Sequence, residues 1–167
     1  MKEFLKNYTS AVPITHTIYR IEQVLIRCGV LGIMKEYGLN GKVVAITFKV
    51  EAEPQNLTIR LPADEEKATE ALWLEYVDGD KLAPEGDRIV SWNRKKKKKA
   101  DFGDQGARTA WKIIQDWVEV QMSMIQLKQA DLLQVFLPYV FDGRQTFYQA
   151  LKEAKFAGLL TEKTDDA

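Results

Sequence analysis

The sequence contains one cysteine and one histidine, and this scarcity excludes several classes of protein at once. With Cys28 alone, a single chain forms neither a disulfide framework nor a zinc site built on cysteines. With His16 alone, a Ser-His-Asp arrangement has only one imidazole to use. We expect a reducing compartment from the cysteine usage. His16 falls in the first turn of a predicted helix, where a surface or capping role is expected.

Long apolar runs and a net charge are also missing. No stretch approaches about 18 consecutive apolar residues, so we expect no segment that spans a membrane. Met1 to Ser10 is charged and has no apolar run behind it, which argues against a signal peptide. We expect Met1 to Pro13 to be a loosely held lead-in. Lys plus Arg and Asp plus Glu balance at 24 each, so any attraction to nucleic acid must be local. These features predict a cytoplasmic protein without a membrane partner.

The motifs of catalysis are few. The sequence has no Gly-rich phosphate loop, no Walker pattern and no thiolate with an obvious activator. The chemistry left open is Mg²⁺ held by carboxylates, as a nuclease uses it. The candidate ligands are Asp78, Asp80, Asp87, Asp101 and Asp104. Acidic residues are ordinary turn formers in such a Gly- and Pro-containing stretch, so we predict no enzyme, no cofactor and no metal site.

The apolar pattern of the first third predicts a helix followed by a three-stranded antiparallel meander. Apolar residues at helical spacing form the first helix, which ends at Gly29: Ile14, Ile18, Ile21, Leu25 and Cys28. The dipeptide Asn40-Gly41 is a strong hairpin signal. Beyond it, an alternation predicts a half-buried strand: Val44, Ile46, Phe48 and Val50 alternate with Ala45, Thr47, Lys49 and Glu51. A similar alternation follows at Leu57 to Leu61.

The second half is predicted to be helical around one central helix. Its apolar face recurs at steps of three and four residues: Ala107, Ala110, Trp111, Ile114, Val118, Met122 and Ile125. A capping box at Thr146 to Gln149 opens a last helix. We predict one α+β domain over 1–167, with helix and meander at 13–63, a flexible basic loop at 78–104, helices at 105–158 and a frayed tail at 161–167.

An unbroken run of positive charge lies between the two halves. Arg94, Lys95, Lys96, Lys97, Lys98 and Lys99 repel one another, which favours an extended and solvated segment unless phosphates neutralise them. Such a run binds the phosphate backbone and not a base sequence. Trp92, just before it, would add base stacking. The alternative is a loop that serves only solubility.

A second positive set is expected on the open face of the sheet. If the apolar residues of the second strand face the core, Lys49 faces outward, and Arg60 on the neighbouring strand joins it. The alternative is that an antiparallel sheet simply shows polar side chains to water.

The C-terminal half contains a series of short motifs: Ala110-Trp111-Lys112, Asp116-Trp117 and Gln121, followed by Phe136-Leu137-Pro138-Tyr139 and Thr146-Phe147-Tyr148. In these motifs the chain resembles short uncharacterised proteins carried by phages and prophages. The resemblance implies a mobile-element protein at work inside a bacterial host cell. The order of helix, meander and lysine-preceded helix is also similar to double-stranded-RNA-binding domains, although about forty residues separate Pro62 from the central helix here.

From these patterns we predict a non-enzymatic nucleic-acid-binding accessory protein of a phage or mobile element, which supports replication, recombination or annealing. DNA and RNA remain open, as does a dimer. The alternative is a protein inhibitor of a host defence machine, such as a CRISPR effector, with a host protein complex as its partner. A Mg²⁺-dependent nuclease is the second alternative.

Overall fold

A computed structural model of the protein describes residues 5–82 and 97–157 and confirms the predicted α+β class. An N-terminal helix precedes a three-stranded antiparallel sheet, and helices follow. The elements are α1 (Ile14–Arg27), β1 (Gly32–Tyr37), β2 (Val43–Val50), β3 (Leu57–Pro62), α2 (Glu65–Leu82), α3 (Gly103–Gln126), α4 (Leu132–Phe136) and α5 (Phe147–Glu153). Short 3₁₀ turns at Lys99–Phe102 and Leu137–Tyr139 precede α3 and follow α4.

Contacts between Cα atoms divide the chain into two compact units. The first unit consists of Met1–Val24 and Ala63–Val120, and the second unit consists of Leu25–Pro62 and Gln121–Ala167. The prediction of a single domain stays a prediction. The basic loop was predicted to begin at 78, but α2 continues to Leu82. The predicted frayed tail at 161–167 lies outside the described residues.

The sheet of the second unit has the predicted order β1-β2-β3. Its core face buries Ile46, Phe48 and Val50 of β2, as the alternation predicted. The prediction that Val44 also faces the core was wrong, because Glu36 pairs with Ala45 and Tyr37 with Val43. Val44 is therefore an extra residue in β2, a β-bulge, and its side chain remains 36% exposed.

The C-terminal segment packs against this sheet inside the second unit. Phe136 is fully buried and meets Phe48 edge to face, with ring centroids 5.5 Å apart. Beyond it, Val140 forms an antiparallel bridge with Ile59, and the Phe141 N–H donates to the Thr58 carbonyl at 2.8 Å. These bonds satisfy backbone groups on the outer edge of β3, which would otherwise be open to pairing.

The core of the first unit lies along α3, whose apolar face follows the prediction closely. Trp111 and Val118 are fully buried, and Ala107 and Ala110 nearly so. The Trp111 indole N–H donates to Glu65 Oε1 of α2 at 3.0 Å, which satisfies its one polar group. The helices α2 and α3 approach closely at Gly106, which lies against the backbone of Thr69.

The segment before α1 was predicted to be a loosely held lead-in, and this was wrong for its described part. The side chains of α3 bind its backbone: Gln105 Nε2 donates to the carbonyls of Tyr8 and Ser10, and Thr109 Oγ1 donates to that of Asn7. The Asp116 carboxylate accepts from Asn7 Nδ2 at 3.0 Å. The segment is therefore an integral part of the first unit.

Asp116 gives this packing a pH dependence. Burial would raise its pKa, but bonds from Lys112, Asn7 and Lys6 outweigh burial and lower the pKa from 3.8 to about 2. A carboxyl whose pKa is lower in the folded state stabilises the fold above pH 3.8, and this contribution disappears as the pH falls towards 2. Asp116→Asn should therefore lower the free energy of unfolding by about 2 kcal/mol near pH 7.

Denaturant titrations at several pH values test this prediction. The difference between Asp116→Asn and the unsubstituted protein should shrink as the pH falls below about 4. Asp104→Asn is the matched control, because Asp104 is exposed in the first turn of the same helix. A difference for Asp116→Asn that stays constant down to about pH 2 would show that the ionised carboxylate is not what stabilises the segment.

Among the residues that the structure describes, no helix has both the length and the apolar character needed to cross a membrane.

Candidate nucleic-acid interface

The structure describes only the last part of the predicted basic run. Lys97, Lys98 and Lys99 are described and exposed, whereas Trp92 and the run 94–96 lie outside the described residues. The three lysines belong to the first unit and immediately precede or open the 3₁₀ turn that leads into α3. We refer to Lys97–Lys99 below as the lysine turn.

The backbone of the lysine turn is fixed by local hydrogen bonds. The Lys98 N–H donates to Asp101 Oδ2 at 2.7 Å, and the Asp101 N–H donates to the Lys98 carbonyl at 2.9 Å. The Lys97 N–H donates to the Tyr76 hydroxyl of α2 at 3.4 Å. The run was predicted to be extended, and Lys98 has an extended backbone, whereas Lys99 begins the 3₁₀ turn. The bonds to Asp101 and Tyr76 fix the backbone of this end of the run.

The ammonium groups of the lysine turn have weak partners. Lys99 Nζ pairs with Glu70 of α2, and both side chains are nearly half exposed. An ion pair as exposed as this contributes between 0 and about 1 kcal/mol, so an arriving phosphate could displace Glu70 at little cost. Lys97 Nζ lies 5.5 Å from the centroid of the Phe102 ring, within the range of a cation–π contact.

Three aromatic rings lie beside the lysine turn and form what we call the ring cluster. Trp73 and Tyr76 come from α2, and Phe102 ends the 3₁₀ turn. Their centroids are 5.4 to 6.0 Å apart, and the planes of Trp73 and Tyr76 are inclined by only 30°. All three residues are half-buried, so each retains some accessible surface.

Sequence reasoning missed the ring cluster. A signal was present: Trp73 and Tyr76 are three residues apart, which places them on one side of a helix. Phe102 lies three residues after Lys99, the end of the basic run. Only the fold, however, brings α2 against the turn before α3.

Lys49 and Arg60 were the other two predicted contacts, and both belong to the second unit. The strand register pairs Thr47 with Arg60 and Lys49 with Thr58, so the predicted outward set does share one face of the sheet. Lys49 is exposed there. Thr47, on the same face, is buried, so this face is only partly open to solvent. A role for Lys49 in binding stays a prediction.

Arg60 already has partners within the sheet. Its guanidinium donates to both oxygens of Glu36 at 2.8 to 2.9 Å and lies 5.6 Å from the centroid of the Phe141 ring. The bond from Arg60 lowers the pKa of Glu36, against burial, which raises it. A second partner of Glu36 is Thr47, whose hydroxyl donates at 2.6 Å. A phosphate at Arg60 would have to compete with this network, so we place the candidate site in the first unit.

Metal ligands do not gather in the described part of the chain. There, no group of three or more His, Cys, Asp or Glu side chains is placed to hold a metal ion. Of the acidic residues considered for Mg²⁺, Asp101 accepts a hydrogen bond from the backbone of Lys98, and Asp87 lies outside the described residues. His16 is exposed in the first turn of α1, at the surface position expected for it.

Comparison of the chain with models of protein families, with curated proteins and with solved structures found no match.

Proposed function

We propose that this protein binds nucleic acid through its basic run and acts as a non-enzymatic accessory protein of a phage or other mobile element. The observation that carries the proposal is the lysine turn, three exposed lysines on a hydrogen-bonded turn beside three aromatic rings. In the sequence the lysine turn forms the second half of a run of six basic residues that begins at Arg94. The mobile-element context rests on the resemblance to phage and prophage proteins.

Physical chemistry favours phosphate as the ligand of the lysine turn. The chain has no net charge, so a local concentration of ammonium groups is its means of attracting a polyanion. Each phosphate that is neutralised releases condensed counterions, which provides a favourable entropy at low salt. Because the turn is already held by Asp101 and Tyr76, little of the backbone of these three residues remains to be ordered on binding.

A triple substitution tests the proposal. Replacing Lys97, Lys98 and Lys99 with glutamine should weaken a salt-sensitive gel shift with nucleic acid by about tenfold or more and reduce its salt slope by about two. The matched control replaces three other exposed lysines, Lys42, Lys128 and Lys152, and changes the net charge equally. Equal losses in the two variants would mean that overall charge, and not the lysine turn, determines binding.

A second candidate function is inhibition of a host defence complex by direct binding. Its support is the exposure of several apolar side chains at β1 and its hairpin: Leu31, Met34, Tyr37 and Leu39. Side chains alternate along a strand, so Met34 and Tyr37 lie on opposite faces of β1, and a partner protein would contact one of the two faces. This function predicts a stoichiometric complex with a protein from bacterial lysate that persists after nuclease treatment, and loss of the complex on that treatment would contradict it.

A further inference from the structure

We infer that the lysine turn and the ring cluster together form a site for single-stranded nucleic acid, in which an unpaired base stacks on the rings. The inference rests on the proposed function and specifies its ligand. Lys97 and Lys98 hold the phosphates that flank the base, and Trp73 and Tyr76 offer the aromatic surface. Arg94, Lys95 and Lys96 are not needed for this site.

The burial of the rings distinguishes them from core residues. Leu72, the neighbour of Trp73 on α2, is buried, and so is Trp111 on α3. The three rings of the cluster are each only half-buried, although large aromatic side chains gain most from complete burial. Aromatic rings that keep accessible surface beside lysines are the arrangement that single-strand-binding proteins use, because every base has a π face that can stack.

The position of Lys97 links the two parts of the site. Its Nζ lies 5.5 Å from the centroid of Phe102, and its backbone N–H donates to the Tyr76 hydroxyl. A nucleotide carries its negative phosphate next to its aromatic base, and here a positive charge lies next to aromatic rings. The site therefore matches both groups of one nucleotide.

The local charges favour a single strand over a duplex. Two carboxylates lie beside the lysine turn. Glu70 pairs with Lys99, and Asp101 accepts a hydrogen bond from the Lys98 N–H. A duplex presents phosphates of two strands at high density and would bring several of them against these carboxylates. Its bases are stacked on one another and offer no face to the ring cluster. A single strand needs only a narrow positive track and exposes its bases.

Paired substitutions test the inference by separating aromatic stacking from apolar packing. Trp73→Leu and Tyr76→Leu keep an apolar side chain but remove the π surface, whereas Trp73→Phe and Tyr76→Phe keep a ring. Fluorescence anisotropy would measure the affinity of each variant for labelled oligothymidine and for a mixed-sequence duplex of equal length. We expect the leucine variants to lose about five- to 100-fold in affinity for oligothymidine, and the phenylalanine variants to lose much less.

The outcomes distinguish this inference from the proposed function. If the protein binds oligothymidine and the duplex equally well and the leucine variants bind as the unsubstituted protein does, the inference is overturned and the proposed function stands. If the protein binds neither ligand at low salt, the proposed function fails and the inference fails with it. If the protein prefers the single strand and the leucine variants lose that preference, the result supports both the inference and the proposed function.

A measurement on the unsubstituted protein covers the case in which the leucine variants do not fold. Oligonucleotides that contain bromodeoxyuridine crosslink under ultraviolet light to aromatic side chains in contact with the base. Mass spectrometry of the digested adduct should locate the crosslink in the peptides that carry Trp73, Tyr76 or Phe102. Crosslinks confined to other peptides would overturn the inference.

Discussion

Replacing Trp111 with alanine is expected to lower the free energy of unfolding by about 3–5 kcal/mol, the largest change in stability that we predict. The indole is fully buried in the core of the first unit, so its removal leaves a cavity between α2 and α3. The substitution also removes the hydrogen bond from the indole N–H to Glu65. In a protein of this size such a loss lowers the melting temperature by roughly 10 °C.

Trp117→Ala is the matched control for Trp111→Ala. Both tryptophans belong to α3, but Trp117 is only half-buried. Its replacement should therefore cost less than about 2 kcal/mol. Denaturant unfolding of the two variants, followed by circular dichroism, measures the difference. Equal losses would contradict the packing that we describe for the first unit.

Replacing Gly106 with alanine is expected to destabilise the protein by about 2 kcal/mol, although alanine is the better helix former. A Cβ atom at this position would lie 2.1 Å from Thr69 Oγ1 and 2.8 Å from both the Thr69 Cα and N atoms. The hydroxyl could rotate, but the backbone of Thr69 could not, so α2 and α3 would have to separate. The gain in helix propensity, about 1 kcal/mol, does not offset this overlap.

Gly103→Ala provides the control for Gly106→Ala. Gly103 is the first residue of α3, and a Cβ atom there would meet nothing within 4 Å. The same substitution three residues earlier should therefore leave the melting temperature unchanged or raise it slightly. If Gly106→Ala also stabilised the protein, the result would contradict the close approach of α2 and α3 at Gly106.

The elements of this fold were predictable because local patterns specify them. The helical spacing of Ile18, Ile21 and Leu25 predicted α1, and Gly29 ends it with a φ of 79°. Asn40-Gly41 predicted the hairpin between β1 and β2, where Gly41 has a φ of 71°. Each of these signals lies within a few residues of the structure that it determines.

The long-range contacts of the first unit, including those of the candidate site, were not predictable in this way, because they join residues far apart in the chain. Asn7 and Asp116 are separated by 109 residues, and their hydrogen bond turned a predicted loose segment into a fixed one. Lys99 and Glu70 are 29 residues apart. Periodicity places a side chain on a face of its own helix, but it does not identify the element that this face meets. The ring cluster was missed for that reason.

Periodicity also fails to identify a buried polar residue of α3. Gln115 lies outside the apolar repeat of this helix, yet it is 2% exposed and donates to Glu119 Oε1 at 2.8 Å. Only the N–H side of this amide has a partner, because Gln115 Oε1 is buried without one among the described residues. Periodicity carries no information about such pairing.

The measurement that tests the central claim most directly is the salt dependence of nucleic-acid binding. Fluorescence anisotropy of labelled single-stranded DNA would be recorded from about 50 to 300 mM salt with the unsubstituted protein and the Lys97, Lys98 and Lys99 triple glutamine variant. We predict a slope of log affinity against log salt of about −3 to −4 for the unsubstituted protein, from four to six phosphate contacts, and a slope smaller by about two for the variant. Absence of binding at low salt, or identical slopes for the two proteins, would contradict the proposal that the lysine turn holds phosphates.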